Sequence, residues 1–129
     1  MQVVNYTKGV VLADSAEIAD TWCSRLRGLM GRKLLPGGSG LLIHPCNSIH
    51  TCFMRFNIDV LFVNGAGRVV RLLENMPPFR FSPIVRGGRY VIELPAGLIS
   101  SSGTCIDDTV FFGNYAGNAL FVVETINRG

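Results

Sequence analysis

Both histidines and two of the four cysteines fall in one short span: His44, Cys46, His50 and Cys52 follow the pattern H-x-C-x3-H-x-C, with Met54 just beyond. Imidazole nitrogen and cysteine or methionine sulfur suit zinc or copper(I). Neighbouring ligands on one extended segment seldom close a tetrahedron alone, and buried cysteine and methionine commonly fill cores. Ordinary packing around a hydrogen-bonded histidine is therefore the stronger reading, and no metal is expected. The same residues also offer a nucleophile, with Cys46 or Cys52 as thiol, His50 as base and Asp59 orienting the imidazole. Neither thiol has a glycine elbow or a helix amino terminus beside it. A hydrolytic or metal-assisted enzyme using His50 with Cys46 or Cys52 is thus the alternative, not the expectation.

Asp59 raises a separate question, because it sits in the apolar run Ile58 to Val63. An unpaired carboxylate in a buried strand costs several kcal/mol. Arg55, or Arg25, Arg27 or Arg32 from further upstream, is the expected partner, since a guanidinium binds a carboxylate in bidentate fashion. Such a pair either fixes a helix against the sheet or belongs to a polar pocket lined by His50, Thr51, Arg55 and Asp59. In the second case the loop bearing Arg80 and Arg86, with Phe79 and Phe81, closes over an anionic or sugar-like ligand.

These side chains need a scaffold. Gln2 to Tyr6 and Gly9 to Ala13 are β-prone and predict a hairpin around Thr7 and Lys8. Asp14 with Glu17 reads as a capping box, and Ile18, Trp22, Leu26 and Leu29 recur at helical spacing up to a stop at Gly28. After the loop Pro36 to Gly40, strands are predicted at Leu41 to Ile43, Ile49 to Met54, Ile58 to Val63 and Arg68 to Leu73. Further strands follow at Tyr90 to Leu94, Thr109 to Phe112 and Ala119 to Thr125. Asn64-Gly65-Ala66-Gly67 is the clearest hairpin turn, and Met76 to Gly88 reads as a long surface loop of the kind that carries function. In an extended Ile49 to Met54, alternation would set His50, Cys52 and Met54 on one face. The expected architecture is a mainly β single domain over residues 1–129. It is a β-sandwich or partly open barrel of about eight strands with one N-terminal amphipathic helix packed on it.

Composition narrows the classes. Of the 129 residues 48% are hydrophobic and 16% charged, which excludes a disordered chain. The net charge of +3 is too mild for a dedicated nucleic-acid binder, so a nucleic-acid partner is not expected. Lys8 and Lys33 are the two lysines among 12 basic residues, so arginine carries the positive charge. The start MQVVNYTKGVVLADS lacks a signal-peptide pattern and no apolar run reaches membrane-span length, which predicts a soluble cytoplasmic protein with reduced thiols. No cofactor motif is present and no cofactor is expected.

Several motifs occur in a fixed order: Arg25 to Arg32 (RLRGLMGR), Gly40-Leu41-Leu42, Ile49-His50-Thr51 with Met54-Arg55, Ile58 to Phe62 (IDVLF) and Val91 to Gly97 (VIELPAG). Together, over roughly Val10 to Phe111, they resemble the family called domain of unknown function 192. The resemblance implies a mostly β sandwich with the arginine-bearing helix packed on it, and no established activity. The block Ile49 to Arg55 resembles a variant sometimes found beside pilus-assembly genes, so a partner in cell-surface filament assembly is implied by family context alone. The family's usual Glu before Arg25 is Ser24 here, and its Gly-Asp turn near the end is Asp107-Asp108. The expected function is a non-enzymatic binding or accessory module for a small polar or anionic ligand or a partner segment.

Overall fold

The computed structural model describes the backbone of residues 1–116 and 119–122 and the side chains of residues 1–113. Strands β1 (Gln2–Asn5) and β2 (Val10–Ala13) form the expected first hairpin. The next segment departs from expectation. Ser15–Ala19 is strand β3, running parallel to β4 (Ser39–Ile43), and the expected N-terminal helix is reduced to the six-residue α1 (Trp22–Arg27) between them. Asp14 is not a cap: its N–H and that of Ser15 both donate to the Gly38 carbonyl, which starts β3 beside β4. Backbone pairing with a neighbouring strand has outweighed the helical spacing of the side chains. The true cap is Thr21, whose Oγ1 accepts from Ser24 N–H while Ser24 Oγ accepts from Thr21 N–H. Ser24 completes that box.

Strands β5 (Ile58–Val63), β6 (Val69–Met76) and β7 (Tyr90–Pro95) follow, then a short helix α2 (Leu98–Ser102), β8 (Val110–Ala116) and β9 (Ala119–Val122). The expected continuation of the last strand to Thr125 lies outside the described residues. The strands form two sheets, β2-β1-β8-β9 and β3-β4-β7-β5-β6, and neither closes into a barrel. The fold is mainly β with few helices. Asn64 makes the β5–β6 turn, its Oδ1 accepting from the N–H groups of Ala66 and Arg68.

Strand alternation sorts the core into two layers. Leu61, Val63, Tyr90, Ile92 and Leu94 of the five-stranded sheet meet Val3, Leu12, Val110 and Phe112 of the other sheet. Leu41, Ile43, Val60, Phe62 and Val91 point the opposite way and are covered by Leu29, Ile49, Met54 and Val85 from the loops. Strand β5 is consequently buried on both faces.

Ile49 to Met54 is not a strand. It makes one isolated bridge, His50 opposite Phe81, and Phe53 has φ of 62°. It runs instead beside the long loop after β6. Thr51 N–H donates to the Arg80 carbonyl, Ser82 N–H to the Ile49 carbonyl and Val85 N–H to the Asn47 carbonyl. The alternation expected for His50, Cys52 and Met54 therefore lapses.

Candidate functional site

His44, Cys46 and His50 are each engaged by neighbouring groups. His44 is buried, stacks on Tyr90 at 4.7 Å between ring centroids and accepts from Arg89 Nε at 3.5 Å. Burial, with the Arg89 charge second, holds its pKa below the ordinary imidazole value, so it is neutral. His50 Nδ1 accepts from Cys52 N–H at 3.1 Å, which places the ring proton on Nε2, 3.2 Å from the Leu26 carbonyl. Cys46 Sγ donates to the Ser48 carbonyl at 2.9 Å, and burial pushes that thiol up. Among the described residues no three His, Cys, Asp or Glu side chains are placed to hold one metal ion. The thiol–imidazole–carboxylate relay is not assembled either, since each member's bonds go to backbone groups.

Asp59 is fully buried, as its strand required, but among the described residues no arginine pairs with it. Its Oδ1 accepts from Asn75 N–H and its Oδ2 from Ile99 N–H, both at 2.8 Å. Among the described residues the ion pairs are Lys8–Asp108 and Arg32–Glu17. Asp59 thus ties the end of β6 to the first turn of α2, where backbone N–H groups lack helical acceptors. It lies on the sheet face opposite the histidine loops, because its neighbours in alternation, Leu61 and Val63, face the other sheet.

The remaining expected site residues scatter. Thr51 is buried behind the loop, its Oγ1 donating to the Pro77 carbonyl at 2.7 Å and accepting from Arg80 N–H at 2.9 Å. Arg55, Arg80 and Arg86 are exposed, and the Arg80 guanidinium contacts its own loop at the Phe79 carbonyl. Arg32 pairs with Glu17. The polar patch of His50, Thr51, Arg55 and Asp59 is therefore not one surface.

A different grouping is present. A cleft of about 220 Å³ opens between α1, the turn that follows it and the Pro45 to His50 loop. Trp22, Leu26 and Arg25 stand on the α1 side, Cys46, Ser48 and His50 on the loop side, with Leu29, Ile43, Ile49 and Met54 as apolar lining. Arg25 Nη1 donates to the Pro45 carbonyl at 3.0 Å and ties the two walls together. Glu93 also lines it.

Glu93 is the residue the sequence reading passed over. On β7 it points to the loop-covered face, flanked across the ladder by Leu41 of β4 and Val60 of β5. It is 2% exposed, and its Oε2 has no hydrogen-bond partner among the described residues. Burial pushes its pKa up to about 8, against a weaker pull down from Arg32. Gly28 roofs it: a Cβ there would lie 3.9 and 4.0 Å from the two carboxyl oxygens, and the residue's φ of 48° favours glycine. Gly40 lets β4 approach, since a Cβ there would stand 3.2 Å from the Glu93 carbonyl oxygen.

The domain model DUF192, described as "Uncharacterized ACR, COG1430", matches residues 3–112. The chain belongs to the DUF192 family. Similar DUF192 relatives include a UPF0127 protein of Thermococcus sibiricus, 36% identical over 115 residues, covering 84% of this chain and 72% of that one. A UPF0127 protein of Pyrococcus furiosus is 33% identical over 111 residues, covering 82% of this chain and 93% of its own length. Among solved structures, a protein of unknown function from Novosphingobium aromaticivorans superposes with a TM-score of 0.78 at 25% identity, over 87% of this chain and 84% of that one. The DUF192 match extends slightly beyond the span that the motifs marked out. Among the described residues no helix is long and apolar enough to cross a membrane.

Proposed function

We propose that this DUF192 chain is a binding module whose recognition site is the cleft beneath α1, with Glu93 as the polar group that reads the ligand. The observation that carries this is the Oε2 of Glu93, unpartnered among the described residues and set between Leu41 and Val60 on the cleft side of the sheet. A buried polar atom without a partner costs about 1–3 kcal/mol, more when charged, and a fold has no structural reason to keep one. Among the described residues Oε2 makes no bond that a leucine would lose. The occupant is a small molecule or a single side chain of a partner segment, because the space lies below the roughly 300 Å³ of ordinary ligand pockets.

Binding fits the geometry better than nucleophilic chemistry. Cys46 is held as a thiol and both His50 nitrogens are occupied. The filament-assembly context gains no support from the relatives' names.

Replacement of Glu93 separates function from fold. Glu93→Leu is expected to leave urea stability unchanged or raise it by about 1–4 kcal/mol, as when buried ionisable groups give way to apolar ones of similar size. A loss of more than about 2 kcal/mol would make Glu93 a structural residue and end this reading.

A further inference from the structure

Resting on that reading, we infer that the cleft takes a positively charged nitrogen, an ammonium or guanidinium on a short aliphatic stem, with Glu93 as its counter-charge. Four features converge on this class. The residues flanking Glu93 on its own sheet face, Leu41 and Val60, carry no donor, so the missing hydrogen bond must come from an occupant. Two of the nearby guanidinium groups are committed elsewhere, Arg25 to the Pro45 carbonyl and Arg32 to Glu17.

Polarity points the same way. The Glu93 carboxyl lies against Gly28, the residue that caps the carbonyl end of α1, whose last turn also carries Arg25 and Arg27. Once ionised, the Glu93 carboxylate attracts a cationic head and repels an anionic one. The lining supplied by Leu29, Ile43, Ile49 and Met54 suits a methylene stem, and the cleft is also lined by the exposed Trp22, whose indole is the ring type best suited to a cation.

Binding would move a proton. Near neutral pH the Glu93 carboxyl holds its proton, so pairing with a cation releases that proton to solvent and leaves a carboxylate facing the ammonium. The other titratable or charged groups around the cleft are Arg25 and Arg27 on α1, Arg32 beyond it, and Cys46 and His50 on the loop. The arginines stay charged throughout, and Glu93→Gln isolates the carboxyl from the other two.

The test uses three probes of matched shape, n-butylammonium, butyramide and butyrate, titrated into the full chain carrying labelled methionine methyl groups. Met30 and Met54 line the cleft and report its occupancy. The expected result is saturable shifts of both methyls with n-butylammonium and weaker effects from the amide and the acid. Calorimetry in buffers of different ionisation enthalpy should show release of about one proton near neutral pH, and Glu93→Gln should weaken binding roughly tenfold or more. N-acetyl-lysine amide then distinguishes the sources: tighter binding than n-butylammonium indicates a lysine of a partner, weaker binding a free amine. If butyramide or butyrate fills the cleft in preference, or the ammonium binds Glu93→Gln equally well, the cation assignment is overturned while the binding site stands. If no probe moves Met30 or Met54 saturably, both fall.

Discussion

Two carboxylates lie buried in neighbouring strands of one sheet, and their different partners separate support from recognition. Asp59 on β5 faces the second sheet and has both oxygens filled by backbone N–H groups. Glu93 on β7 faces the cleft and has Oε2 unfilled. Removing Asp59 strands two donors, one of them, Ile99 N–H, fully buried. Asp59→Ala is therefore expected to destabilise by about 2–5 kcal/mol in urea titration, with Asp59→Asn losing distinctly less because it keeps one acceptor. Equal losses would show that charge, not hydrogen bonding, is what the site needs. The sequence made Asp59 conspicuous, but the arginine partner expected for it is not found among the described residues. What the sequence concealed was that the carboxyl is solvated by main-chain N–H groups, which one-letter codes do not display. The same reasoning applied to VIELP would have found Glu93, a charge inside an equally apolar strand.

Elements were legible wherever a short period met a turn signal. β1, β2, β5, β6 and β7 all follow from short β-prone runs bounded by turn residues. β3 and α1 were not, because Asp14 to Leu29 satisfies a helical template that the Gly38 carbonyl and β4 outcompete in space. The consequence is visible on the surface. Trp22 is 71% exposed and Leu26 53% exposed, so the apolar stripe read as core forms the mouth of the cleft instead. Ile49 to Met54 failed as a strand for a related reason: its partner is the irregular loop after β6. Thr51 is the clamp between them. Thr51→Val keeps the shape and removes the bonds to Pro77 and Arg80. It is expected to cost about 1–3 kcal/mol and to accelerate amide exchange at Arg80 more than at β5 residues. Unchanged exchange at Arg80 would place the clamp elsewhere.

Across the molecule, Glu93 links the cleft to global stability through its proton. Its ordinary pKa of 4.5 is raised to about 8 by burial, so the folded chain holds a proton that the unfolded chain releases across that window. Stability is therefore expected to be full below about 4.5, to fall by about 1.4 kcal/mol per pH unit as pH rises, and to level off above about 8. His44 acts with the opposite sign: its pKa is lowered from 6.5 by burial and by Arg89, so its contribution is present above 6.5 and lost as pH falls. Urea midpoints of the wild-type chain and Glu93→Gln across pH 5–9 separate the two. The Glu93 part is the difference between the curves, and parallel curves would refute it.

The cleft joins a fixed post to interchangeable walls. Glu93 stands on β7, held by ladders to β4 and β5 on either side, whereas Trp22, Leu26 and Ser48 belong to segments that contribute no strand to either sheet. Changing the post disturbs the most constrained part of the molecule, and changing the walls does not. A lineage, or an engineer, seeking a new stem length or tail chemistry can therefore vary α1 and the Pro45 to His50 loop at little risk to foldedness, while the charge that anchors the head group stays in place.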